Sequence, residues 1–221
     1  MVSTAPPTSR QKTAPKPSGP GRPKDLGKRA AILDAAKRLF ATEGFAGASM
    51  DQIAAEAGVS KLTVYSHFGD KEALFAAAIR AKCEEMLPPD LFNLELKGPL
   101  RAQLKAIASG FFALISSDEA ISTHRMMLAP GNADDPLRKL FWEAGPKRTQ
   151  DEFCTFLQGR VAAGELDIAD PERATQQFFA LLKGELHGRM LCGLCARPPR
   201  GEVTAHVDAA VDMFLRAYAV R

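Results

Sequence analysis

Apolar residues recur at helical spacing along most of the chain. Over 25–43, Ile32, Leu33, Ala36, Leu39 and Phe40 fall on one face of a helix. Gly44 is placed to end it, because glycine adopts the left-handed backbone that commonly follows a helix. Ser49 and Gln52 have the spacing of a capping box, and Met50, Ile53, Ala54 and Ala57 form one face of a short second helix. That helix stops at Gly58. Ser60 caps a third helix, with Val59 and Val64 spaced as a hydrophobic staple. Asp70 caps a fourth, which runs to about Leu87, where Pro88 and Pro89 forbid continuation.

The same period continues beyond Pro99. Helices are expected over 100–117, 119–128, 136–144 and 147–163. Asp170 and Pro171 open a long helix over 172–195, with aspartate as cap and proline at the first helical position. It is apolar on more than one side (Phe178, Phe179, Leu181, Leu182, Leu186, Met190, Leu191 and Leu194), so it needs cover from two directions. A hinge over 197–201 precedes a last helix over 202–220, with Val207, Val211, Phe214, Leu215 and Tyr218 on one stripe. No convincing strand and no repeat emerge. The pattern predicts an all-α fold.

Composition agrees. The chain has 221 residues, 46% of them apolar and 25% charged, enough for one large domain or a small and a medium one. Thirteen of its aromatic residues are Phe against two Tyr and one Trp, which suits helical cores better than strands. No apolar run approaches the roughly 18 residues of a membrane span, and the basic N-terminus lacks the apolar stretch of a signal peptide. With four cysteines and no export signal, a reducing, cytoplasmic location is expected.

Net charge is only +3, but its distribution is uneven. Residues 1–30 hold seven Lys or Arg against Asp25, so positive charge gathers where it can meet a polyanion such as DNA. Five prolines within 1–20 mark residues 1–24 as a disordered basic tail. The run Gly21-Arg22-Pro23-Lys24 resembles short arms that lay an arginine, here Arg22, into a minor groove.

The informative stretch is 49–71, SMDQIAAEAGVSKLTVYSHFGDK. Two short helices meet at Gly58, which supplies the positive φ of a tight turn, and Ala54 and Ala57 let them cross closely. This is how a helix-turn-helix offers its second helix to the major groove. An ordinary helical hairpin has the same local features. In the third helix Val64 and Phe68 face the core, leaving Lys61, Thr63, Tyr65, Ser66 and His67 on or near the open side. Lys61 can donate to guanine, and Thr63 can use its hydroxyl or touch a thymine methyl. Ser49, at a helix N-terminus, has free amides and a hydroxyl that favour phosphate. Tyr65 and His67 also have plain packing or capping readings.

Glu43-Gly44-Phe45, the 49–71 block and Glu72-Ala73-Leu74-Phe75 together resemble the N-terminal domain of the tetracycline-repressor (TetR/AcrR) family. The resemblance implies a homodimer in which a three-helix DNA-binding domain (25–70) docks on a larger helical effector-binding and dimerisation domain (71–221). It implies base contacts from Lys61, Leu62 and Thr63, and phosphate contacts from Tyr65, His67 and Lys71. The last two helices are implied to form a four-helix dimer interface. The run Phe141–Pro146 followed by Arg148 is similar to the AefR-like C-terminal domains.

Phe111, Met126, Met127, Trp142, Phe153 and Phe178 are candidates for an effector pocket, since such pockets are aromatic and aliphatic and methionines adapt to varied shapes. The same residues also suit any helical core. Cys192-Gly193-Leu194-Cys195, with His187 and His206 nearby in sequence, admits a metal or redox reading, but small buried thiols are ordinary core residues. No metal, cofactor or membrane partner is expected. The expected function is that of a transcriptional regulator, a repressor released from a palindromic operator by a small hydrophobic effector. The fourth helix would be the only continuous link between the halves. A constitutive DNA-binding protein and a small helical enzyme are the alternatives. The first would not need the apolar helices beyond residue 86, and no spacing demands the acid–base pair or activated nucleophile of the second.

Overall fold

The computed structural model describes residues 1, 25–93, 98–130 and 135–220. The basic tail over 2–24, with Arg22, lies outside the described residues. Among those described, the chain forms ten α-helices: α1 (Leu26–Gly47), α2 (Met50–Glu56), α3 (Lys61–Phe68), α4 (Lys71–Met86), α5 (Leu100–Ile115), α6 (Asp118–Leu128), α7 (Pro136–Ala144), α8 (Pro146–Ala162), α9 (Pro171–Leu191) and α10 (Arg200–Tyr218).

The helix starts follow the side chains able to cap them. The Asp25 carboxylate accepts from the Gly27 and Lys28 amides, and Asp70 accepts from the Ala73 amide at 2.7 Å. These contacts satisfy amides that the first turn leaves without a helical partner. Gly44, at φ +72°, breaks α1 before a further turn to Gly47.

Two apolar clusters organise the molecule. The smaller gathers Ile32, Phe40, Ile53, Val64, Leu74 and Phe75 from α1 to α4, with Phe40, Phe45 and Phe75 ring against ring. The larger gathers α5, α8, α9 and α10 around Phe112, Phe153, Phe156, Phe178 and Phe214. Burying each phenylalanine contributes about 1.5–3 kcal/mol, so these five buried rings dominate this half. Helices α6 and α7 tie the two together. Met126, Met127, Leu137 and Phe141 pack against the smaller cluster, and the Ser122 hydroxyl donates to the Ala41 carbonyl at 2.6 Å. The halves are therefore joined through α1 and α6 as well as through α4.

Two expectations for the terminal helices need correction. Helix α9 ends at Leu191, short of Cys195, and is broken at Gly184 (φ +46°). Beside the break, Nε2 of the His206 ring of α10 lies 2.7 Å from the Leu182 carbonyl. Likewise the stripe Val207, Val211 and Phe214 faces the chain's own core, as do Phe178, Phe179 and Leu182. The face left open on α9 and α10 is a shallow groove of Gln177, Ala180, Leu181, Gly184, Met213 and Ala217, with Met213 58% exposed.

Candidate nucleic-acid interface and effector cavity

Helices α2 and α3 cross at Gly58, whose φ of +64° turns the chain sharply. The capping box forms: the Ser49 hydroxyl accepts from the Gln52 amide at 3.2 Å, and the Ser49 amide donates to the Gln52 side chain at 2.8 Å. The hydroxyl also donates to Gln52 Oε1 at 2.7 Å, so it is occupied within its own cap. Val64 is fully buried and anchors α3. Anchoring that side leaves the opposite one open: Leu62 is 78% exposed and Tyr65 42%.

The polar candidates on α3 are held in place by neighbours. Lys61 Nζ pairs with the Asp51 carboxylate at 2.9 Å, which holds the lysine above its ordinary pKa. Thr63 is half-buried, its hydroxyl 2.8 Å from that of Ser60. The Ser66 hydroxyl donates to the Thr63 carbonyl. His67 is half-buried, and its Nδ1 is buried with no hydrogen-bond partner among the described residues. Lys71 Nζ sits 4.6 Å from the Phe45 ring centroid, a cation–π contact that fixes it at the start of α4. A row of exposed, polar or basic groups on one short helix, braced from behind, is what groove binding requires.

The second feature is a cavity of about 100 Å³ between the two halves. Helix α1 lends Lys37 and Phe40, and α4 lends Phe75, Ala78, Ile79, Lys82 and Cys83. From the other half come Phe111, Leu114 and Ile115 of α5, Glu119, Thr123 and His124 of α6, and Phe179 and Lys183 of α9. The wall is mostly apolar. Burial lowers the pKa of His124 and Lys183 and pushes the Cys83 thiol up to about 11. A thiol so shifted stays protonated and is a poor nucleophile.

Residues 32–78 match the family model described as "Bacterial regulatory proteins, tetR family". Residues 102–220 match "AefR-like transcriptional repressor, C-terminal domain". The chain belongs to the TetR family of transcriptional regulators. Among the relatives of this TetR-family chain, the transcriptional regulator RutR of Escherichia coli K12 is 31% identical over 153 residues, 69% of this chain and 71% of that protein. The transcriptional activator FasR of Mycolicibacterium smegmatis is 31% identical over 116 residues, 50% of this chain and only 52% of FasR. The solved structure of the Flavonoid-responsive Regulator FrrA superposes with a TM-score of 0.65 at 32% identity, covering 89% of this chain and all of that one.

Within this TetR-family fold the pocket candidates scatter. Phe111 lines the cavity. Phe153 and Phe178 do not: they stack on each other at 4.6 Å, fully buried in the larger core. Met126 docks on the Gly44 turn, where its sulfur accepts from the Phe45 amide at 3.3 Å, and Met127 packs on the same cluster. Trp142 is 46% exposed on α7 and does not line the cavity, although its neighbour Phe141 does. The wall residues overlooked in the sequence are Lys37, Phe40 and Phe75 from the reading head and His124 and Lys183 from the other half. Cys192 is exposed just past α9, and both Cys192 and Cys195 are free thiols.

Proposed function

We propose that this TetR-family regulator binds an inverted-repeat operator as a homodimer and is released from it by a small hydrophobic effector. The carrying observation is that one cavity is walled by α1 and α4 of the reading head and by α5, α6 and α9 of the regulatory half. An effector there touches both bodies, so its binding energy can act directly on the angle between them. A coupling of about 1–3 kcal/mol changes DNA affinity roughly 5–150-fold. Lys61, Leu62 and Thr63 are assigned to base edges. Tyr65, Ser66, His67 and Lys71 are assigned to the backbone, with Ser49 contributing its helix N-terminus and Arg22 a minor-groove contact. The groove of Leu181, Gly184, Met213 and Ala217 is the surface for a second copy. Two heads related by such an axis suit half-sites roughly 34–36 Å apart. The flavonoid response of FrrA and the repressor description of the C-terminal model favour this reading; FasR, an activator, favours the opposite sign.

The test selects operator DNA from a random pool with the full-length protein, then titrates hydrophobic compounds into free protein and into the complex. Linkage requires operator to weaken effector binding by the factor by which effector weakens operator binding. Equal effector affinity in the two titrations refutes release and leaves a constitutive DNA binder. A reporter under that operator separates repression from activation.

A further inference from the structure

We propose that the cavity takes a neutral, single-ring phenol whose hydroxyl donates to Nε2 of His124. This rests on the effector reading above and narrows it to a chemical class. His124, on α6, is a wall residue of the cavity. Its Nδ1 lies 2.7 Å from the Ala120 carbonyl, one turn back on the same helix. A carbonyl only accepts, so the neutral ring carries its proton on Nδ1 and a lone pair on Nε2. Among the described residues nothing donates to that lone pair. Nor is Nε2 sealed inside the protein, as the same atom of His187 is. The rings of Phe141 and His187 stand nearly perpendicular to that of His124, at 5.4 and 5.7 Å between centroids, and brace it. The result is a fixed acceptor at the edge of an open space.

The other polar groups of the wall are engaged or unselective. Lys37 pairs with Asp34 at 2.9 Å and Glu85 at 3.1 Å, and Lys82 with Glu119 at 3.6 Å. The Thr123 hydroxyl donates to the Glu119 carbonyl at 2.7 Å. Lys183 is exposed, so water can solvate its charge. No buried cation therefore waits for an anion, and a cationic ligand would meet three lysines. The Gln150 amide offers a donor and an acceptor together and selects for neither. His124 Nε2 can only accept. An apolar ligand that covers it removes its water and returns no hydrogen bond, whereas an O–H donor restores one. Burial disfavours a second proton on the ring, which preserves the acceptor. Around it, Phe40, Phe75, Phe111, Phe141 and Phe179 suit a flat aromatic body. A dry cavity of about 150 Å³ holds one benzene. At about 100 Å³ this one suits a single ring after a small opening.

The experiment uses the full-length protein and a matched pair, p-cresol against p-fluorotoluene, by calorimetry. The two have nearly the same shape, and only the cresol has a proton to donate. Against a wall without an acceptor the cresol would bind more weakly, because its hydroxyl gives up water for nothing. Here it is expected to bind at least as tightly. His124→Met keeps similar bulk and removes the acceptor. The ratio of cresol to fluorotoluene affinity should then fall about tenfold, with fluorotoluene binding retained. His124→Gln, whose amide oxygen can accept, should restore most of that ratio. Helical circular dichroism and melting temperature show that each variant is folded; the order of the two affinities in the wild-type protein tests the site without any variant. Weaker binding of the cresol than of the fluorotoluene by the wild-type protein, no binding of the cresol, or an unchanged ratio in folded His124→Met each overturns the inference. Operator release is read in parallel. Release by both compounds alike, and equally in His124→Met, sinks the phenol site and keeps the regulator reading. A cresol that binds through His124 without releasing operator does the reverse.

Discussion

The reading head and the regulatory half solve opposite problems. In the head, the groups assigned to DNA lie close together in sequence, most of them on α3, beside the caps and the turn that set the helices. The cavity wall, by contrast, is assembled across both halves, from α1, α4, α5, α6, α7, α8 and α9, and its members are separated by much of the chain. A local device survives as a sequence pattern. An assembled one exists only after the helices have packed.

The comparison breaks first at the aromatic cores. Phe75→Ala, in the head, and Phe178→Ala, in the larger core, each remove a fully buried ring and should cost about 3–5 kcal/mol in urea unfolding. Phe75 also walls the cavity, so its variant should lose effector response as well, while any Phe178 variant that folds should keep it. Loss of response in neither would detach the cavity from the head. Next in size is the reading surface. Lys61→Ala should cost about 1–3 kcal/mol of operator binding, with relaxed preference at one base pair. Asp51→Ala should move affinity the other way, because the carboxylate occupies Lys61 in the free protein. Filter binding to operator and its single-base variants reads both.

Gly58→Ala isolates backbone strain. A Cβ there meets nothing, so the cost of about 1–2 kcal/mol should come from φ +64° alone. An unchanged melting temperature would mean that the α2–α3 turn relaxes freely. The smallest effect is a slope. Burial holds His187 down to about 4, below its ordinary 6.5. Between those values the unfolded chain binds the extra proton, so stability falls as pH falls from about 6.5 towards 4. His187→Gln should lose part of that fall, measured as the urea midpoint at pH 7 and pH 5. An identical drop in both proteins would remove His187 as its source.

The head was legible because its signals are short-range. Ser49 with Gln52, Ser60 and Asp70 each act as the sequence implies, since a cap depends only on residues two or three positions away. The helices of the other half were legible too, often to within a residue or two, from proline and glycine at their ends. Their outward faces were not. Val207, Val211 and Phe214 make as good an interface stripe as a core stripe, and only packing shows which they are. The break at Gly184 was equally silent, since a lone glycine in a helical pattern is ordinary; the His206 ring that meets the Leu182 carbonyl beside it comes from the next helix. Phe153 and Phe178, chosen as pocket residues for being aromatic, ended fully buried in the larger core instead. The polar members of the wall were passed over because each stands alone in its own segment.

Phe40 and Phe75 serve two masters, as keystones of the head and panels of the cavity. Mutational drift in effector preference is therefore channelled. Changes at these two positions cripple the DNA reader before they can retune the ligand, whereas α6 and α9 offer wall positions outside the head's core. Descendants of this chain that answer to new molecules should differ at positions such as Thr123, His124 and Lys183 and keep the two rings. A library built to reprogram the regulator would spend its diversity in the same place.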